Sequence, residues 1–157
     1  MPEVWFYHLT ETPAEDLLPV LLLRALVGGH RIELRGTAAA RMDRLDQALW
    51  LQPADGFLPH GLAGGPQDAR QPVLLTVAGQ TATNGADFLV ALDGAEVTAE
   101  ECASLFRAAV VFDGNDPASL ATARDQWRLT GAAGLAAQYW TREGGRWTKK
   151  QERAAQA

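Results

Sequence analysis

Cysteine is almost missing from this chain. A single thiol, Cys102, in 157 residues leaves no internal disulfide and no cysteine-based zinc site, and it suits a reducing compartment. Serine occurs only at Ser104 and Ser119, and neither stands in a GxSxG nucleophile elbow. The three histidines, His8, His30 and His60, share no metal-ligand spacing and read as strand or loop residues. There is no GxxxxGK followed by serine or threonine, and no GxGxxG after the first strand. The turn there is Thr10-Glu11-Thr12-Pro13, which offers no glycine to let a pyrophosphate approach the backbone. Positive charge is also scarce. Fourteen Lys and Arg stand against nineteen Asp and Glu, for a net charge of -5. That balance disfavours a protein that grips a phosphate backbone by itself, although it leaves room for a local basic patch. The longest apolar stretch, Leu17 to Val27, contains Pro19 and Arg24 and is too short to span a bilayer. With no basic start or small-residue cleavage site after Met1-Pro2-Glu3-Val4, the expectation is a soluble cytoplasmic protein.

What is present fits an ordered globular protein: 47% hydrophobic residues and 21% charged ones. The length corresponds to one domain, assigned to residues 1–150, with a solvated tail at 151–157. Val4-Trp5-Phe6-Tyr7-His8-Leu9 is rich in β-formers and reads as the first strand. Thr12 as cap and Pro13 as first helical residue open a helix that Gly28-Gly29 stops, with Pro19 forcing a late start or a kink. His30 to Leu34 alternates as a second strand. Thr37 caps a second helix from Ala38 to about Leu51, with an apolar stripe of Met42, Leu45, Leu49 and the ring of Trp50. Residues 52–71 are loop-like. Val73 to Val77 reads as a central strand, Phe88 to Leu92 as another, and Ala108 to Phe112 as a further one. Thr98 starts a short helix with Glu100 and Glu101 in its first turn, and Asp116-Pro117 opens a long helix to about Ala137. Strands alternating with helices imply an α/β fold: a single-domain three-layer sandwich with a mainly parallel sheet, Rossmann-like but without a nucleotide site.

No nucleophile, base and orienting group come together, so a binding module is favoured over an enzyme and no cofactor is expected. Cys102, beside Ala103 in an apolar helix, reads as a small core residue. Gly61-Leu62-Ala63-Gly64-Gly65 runs into Pro66, not into a helix, and so lacks the helix N-terminus that a phosphate loop needs.

Two surfaces remain. The segment from Trp50 to His60 carries Trp50, Phe57 and Leu58 around rigidifying prolines, and either staples the loop to the core or offers a partner an apolar patch. On the last helix, Leu120, Arg124, Trp127 and Arg128 fall at i, i+4, i+7 and i+8 and share one face. They form either an ordinary helix surface or a pocket for a peptide that is both acidic and apolar, because a guanidinium can fork onto a carboxylate beside an indole. Tyr139, Trp140 and Trp147 are expected to fold back on the core.

The run Arg44-Leu45-Asp46-Gln47-Ala48-Leu49-Trp50, Pro53 and Phe57-Leu58-Pro59-His60-Gly61-Leu62-Ala63-Gly64 resembles the signature of the chi subunit of the bacterial DNA polymerase III clamp loader. So do Phe112, Ala123-Arg124-Asp125-Gln126-Trp127-Arg128, Ala133-Gly134 and Trp147. The resemblance runs from the first strand to about Lys149. It implies a non-catalytic accessory subunit in DNA replication that bridges the clamp loader to single-stranded-DNA-binding protein by capturing the latter's acidic C-terminal tail, which ends in Phe. The tail site maps onto Arg124, Trp127 and Arg128. Trp127 stands where the family can carry Tyr, and Arg128 where it can carry Lys. Leu120 stands where a further basic residue can occur, which implies a less cationic pocket. A second surface, for a psi subunit or another clamp-loader partner, maps onto Trp50, Phe57 and the adjoining Leu58, and a repair helicase is an alternative partner there. A degenerate nucleotide-binding enzyme is the rival class.

Overall fold

The computed structural model describes residues 2–51 and 58–156. In chain order the elements are β1 (Glu3–Leu9), α1 (Ala14–Val27), β2 (Ile32–Arg35), α2 (Ala39–Leu51), β3 (Gly61–Leu62), a 3-10 turn (Asp68–Arg70), β4 (Val73–Thr76), β5 (Phe88–Leu92), α3 (Ala99–Ala103), β6 (Arg107–Asp113), α4 (Pro117–Ala132), β7 (Ala136–Glu143) and β8 (Arg146–Arg153). The strands form one sheet in the order β3-β4-β2-β5-β6-β1-β7-β8. Every pairing is parallel except β7 with β8. Helices cover both faces, as a parallel sheet with two apolar faces requires. Leu18 and Leu22 of α1 and Met42, Leu45 and Leu49 of α2 pack on one face with Ile32, Leu34, Leu75 and Val90. Cys102 of α3 and Ala123 of α4 pack on the other with Val4, Phe6, Leu89 and Val110. The three-layer α/β sandwich is therefore the observed architecture.

Several boundaries differ from the sequence reading, each for a local reason. Helix α1 begins at Ala14 with Pro13, not Thr12, at its N-cap, and it runs through Pro19 to Val27 without interruption. Strand β4 is not central but second from one edge, shielded by the two-residue β3. Trp50 does not join the buried stripe of α2 and is 51% exposed. Helix α4 ends at Ala132 instead of about Ala137. Gly134, at φ 81°, turns the chain into the left-handed region, and Gly134 N–H and Leu135 N–H donate to Gly131 O and Thr130 O. That pair of bonds is a Schellman stop, and it frees Ala136 onward to become a strand. The segment read as a solvated tail starts inside β8, which continues to Arg153. The Arg153 side chain then reaches back to donate three hydrogen bonds, to Leu135 O, Trp127 O and Thr130 Oγ1, at 3.0, 2.8 and 3.0 Å.

Helix α3 has only five residues, and its ends are held chemically. Thr98 Oγ1 accepts from Glu101 N–H at 3.1 Å, and the Glu101 carboxylate accepts from Thr98 N–H at 2.9 Å, completing a capping box. The same carboxylate takes two bonds from Arg35, at 2.8 and 3.1 Å, which ties α3 to the end of β2. Burial pushes the Glu101 carboxyl up, but the Arg35 and Thr98 hydrogen bonds outweigh it and leave it below the ordinary carboxylate value. The unfolded chain therefore binds the proton first on acidification, and this contribution is lost as pH falls below about 4.3. Thr98→Ala should cost about 1 kcal/mol in urea unfolding at neutral pH. In Glu101→Gln the decline of stability on acidification should be shallower than in the wild type, and an unchanged slope would count against this account.

Candidate functional site

The rotation of α4 is set by its buried stripe. Ser119, Ala123, Gln126 and Thr130 face the sheet, and Gln126 Nε2 donates to Ala95 O at 3.1 Å. That leaves Leu120, Arg124, Trp127 and Arg128 on one flank, as their spacing predicts. The four differ in depth. Leu120 and Trp127 are half-buried against the Phe6 and Tyr139 side of the core, while Arg124 and Arg128 are exposed.

The indole sits at the end of an aromatic ladder. Trp127 meets Phe6 edge-on at 5.3 Å and Tyr139 edge-on at 5.9 Å between ring centroids. Tyr139 lies beside Phe112 at 6.1 Å, and its hydroxyl is 2.7 Å from His8 Nδ1. Such edge contacts fix ring orientation and add about 0.5–1.5 kcal/mol each beyond area burial. The guanidinium of Arg153 lies 4.6 Å from the Trp127 ring centroid. A Cβ at Gly131 would stand 2.6 Å from Arg153 Nη1, so glycine at that point of α4 makes room for the side chain.

Charge on this flank is unevenly committed. Arg128 pairs with Asp125 at 3.2 Å, but both side chains are highly exposed, so the pair contributes little and yields readily to another anion. Arg153 is occupied by its three backbone and hydroxyl acceptors. Arg124 acts electrostatically on both His8 and Tyr139. Burial first, then the Arg124 charge, holds His8 below its ordinary value, against the opposing pull of Asp113. Burial raises the Tyr139 hydroxyl, and the Arg124 charge offsets only part of that rise. The sequence does not single out His8, Tyr139 or Arg153 as members of this flank. Only the β-forming pattern around His8 and Tyr139 points to their strands, and Gly131 is the sole local mark of Arg153.

The second predicted surface is divided. Trp50 is half exposed, with its ring 4.3 Å from that of His60, and its neighbour Leu51 is 81% exposed. Leu58, predicted to face a partner, is instead 3% exposed in the core beside α2. It is drawn inward by His60, whose Nδ1 contacts Leu58 O at 2.6 Å and whose Nε2 contacts Asp46 O at 3.0 Å. Phe57 lies outside the described residues.

The remaining candidates behave as structural groups. Cys102 is buried, and burial, with Glu101 adding to it, pushes its thiol up to about 12, the wrong direction for a nucleophile. His30 pairs with Asp87 at 2.8 Å and stacks on Phe106. Among the described residues no group of three or more His, Cys, Asp or Glu could hold a metal ion, and no helix is long and apolar enough to cross a membrane. The crevice at the strand ends, where related topologies hold phosphates, is lined by Glu11, Asp93 and Asp113, and its Arg41 is already paired with Glu15 and Asp93.

Together these features define a doubly wound α/β protein whose developed cationic and aromatic surface lies on a helix flank instead of at the nucleotide crevice. The family model described as DNA polymerase III chi subunit, HolC, matches residues 1–138. DNA polymerase III subunit chi of Escherichia coli (strain K12) is 30% identical over 107 residues, covering 68% of this chain and 71% of that protein. The chain belongs to the DNA polymerase III chi-subunit family, whose members are replication accessory subunits.

The electrostatic link between Arg124 and His8 gives a direct check on this geometry. Removing the guanidinium in Arg124→Ala should raise the His8 pKa measured by NMR titration. An unmoved His8 titration would place Arg124 away from the ladder.

Proposed function

We propose that this chain is a non-catalytic adaptor in DNA replication that links the DNA polymerase III clamp loader to single-stranded-DNA-binding protein by capturing its acidic, Phe-terminated tail on the α4 flank. The observation that carries the reading is the half-buried Trp127 with Arg124 and Arg128 exposed on the same helix flank. The tail's carboxylates would fork onto Arg124 and Arg128, with the weak Asp125 pair exchanged for a ligand pair. The terminal aromatic ring would pack on the Trp127 indole and the side chain of Leu120. Arg153 acts differently from the other two guanidiniums: bonded to three acceptors around the end of α4, it holds the indole in place and is not spent on the ligand. Leu120 brings apolar contact and no charge, so this site depends more on Arg124 than a pocket with a basic residue there would.

Titrating a labelled tail peptide by fluorescence anisotropy tests this. Arg124→Ala should weaken binding about tenfold, since a charge-assisted bond contributes on the order of 1.5–3 kcal/mol. Arg128→Ala should weaken it less, and added salt should weaken the wild type toward the Arg124→Ala value. Equal affinity of wild type and Arg124→Ala at low salt would sink the reading.

A second reading concerns the far end of α2. Trp50 and Leu51, adjacent and both exposed, are the kind of apolar pair that a partner covers. We assign them to a clamp-loader partner such as a psi subunit, or to a repair helicase. The double variant Trp50→Ala, Leu51→Asp should reduce partner recovery in a pull-down by about tenfold while keeping the urea midpoint within the range of surface changes. Full recovery would remove this surface from the account.

A further inference from the structure

The opposite face of the sheet carries a second recess that the tail site does not use. β7 and β8 extend the sheet past α1, and the step between them is a groove of about 390 Å³. That is room for one or two large side chains. Its floor is Trp5, Tyr7 and Trp140, and its walls are Val20 and Trp147. Trp5 and Trp140 lie 5.8 Å apart, and Trp147 meets Tyr7 edge-on at 5.5 Å. The indole N–H groups of Trp5 and Trp140 already donate to Glu3 and Gln138 of their own strands, so what these rings offer the groove is carbon surface.

Two features say what kind of occupant fits. First, the α1 wall continues as an exposed apolar ridge, with Val20, Leu23 and Val27 at 50%, 44% and 82% exposure. Second, the groove is edged by Arg24 and Arg142, and neither makes a side-chain hydrogen bond or ion pair among the described residues. On a chain of net charge -5 these are cations beside an apolar trough, and Asp16 is the one acidic residue among the described residues that line it. We propose that this groove docks an acidic amphipathic segment of a partner protein, with one large apolar side chain seated between Val20 and Trp147 and flanking carboxylates on Arg24 and Arg142. A protein segment is favoured over nucleic acid because the ridge of Val20, Leu23 and Val27 has nothing to offer a phosphate and the chain as a whole is acidic. Because Trp5 and Tyr7 alternate along β1 with Phe6 and His8, the groove and the α4 flank lie on opposite faces and can be filled together.

The test is selection of peptides from a random display library on the full-length protein, followed by anisotropy titration of the selected peptides. The expected products carry an aromatic or large aliphatic residue flanked by Asp or Glu. They should lose about tenfold or more in affinity for the double variant Arg24→Glu, Arg142→Glu and for Val20→Asp, and bind Arg124→Ala as they bind the wild type. The Arg124→Ala arm separates this groove from the tail site, so either reading can fail alone. The proposal is overturned if no selected peptide responds to the groove variants. It is also overturned if an oligo-dT probe binds and the double charge reversal abolishes that binding, which would make the groove a nucleic-acid face. Concentration-dependent dimerisation abolished by Val20→Asp would overturn it in favour of a second copy of the chain.

Discussion

A strand held between two parallel neighbours has no free edge, and β1 is such a strand. It pairs with β6 on one side and β7 on the other over nearly its whole length. Successive side chains must therefore enter opposite layers. Val4, Phe6 and His8 go toward α4, and Trp5, Tyr7 and Leu9 toward α1. Both recesses are consequences. Phe6 and His8 anchor the ladder that ends at Trp127, and Trp5 and Tyr7 floor the groove beside α1. A one-residue slip of β1 would exchange the two sets and destroy both.

The same constraint explains how an acidic protein assembles local positive surface. Backbone acceptors at the C-terminal end of α4 hold Arg153 over the indole, so its charge has a structural task. Arg124 and Arg128 project from α4 with no buried partner among the described residues to hold them, and the same holds on the other face for Arg24 of α1 and Arg142 of β7. Guanidiniums that are hydrated in the free protein lose less on exchanging water for a carboxylate than buried ones would lose on being uncovered. The strand-end crevice is lined by carboxylates, and these guanidiniums sit on the flanks of the sheet.

Much of the fold is legible in residue patterns because its signals are local. Val4 to Leu9, Phe88 to Leu92 and Ala108 to Phe112 are apolar β-forming runs, and each is a strand. Gly28-Gly29 ends α1, and the Thr98 and Glu101 spacing marks α3. The Leu120, Arg124, Trp127, Arg128 face is legible too, since 3.6-residue periodicity alone places four residues on one flank. The end of α4 is not, because the apolar residues after Gly134 continue the helical pattern while the left-handed turn at that glycine overrides it. Nor is the exposure of Trp50, because a periodic stripe does not tell which of its members the neighbouring layer reaches.

Composition, periodicity and turn chemistry determined the α/β class, the order of elements from β1 to α4 apart from the two-residue β3, and the helix face that bears Arg124 and Trp127, because each is encoded within a dozen residues, whereas the β7–β8 hairpin was not among the expected strands. Other outcomes were decided only by the sheet: the half-burial of Trp127, the inward turn of Leu58, and the opening of a groove beside α1. So was the return of Arg153 from the C-terminal end of β8 to cover an indole twenty-six residues earlier. Those outcomes depend on which strands become neighbours, and strand pairing is a contact between distant parts of the chain that no local run of residues specifies.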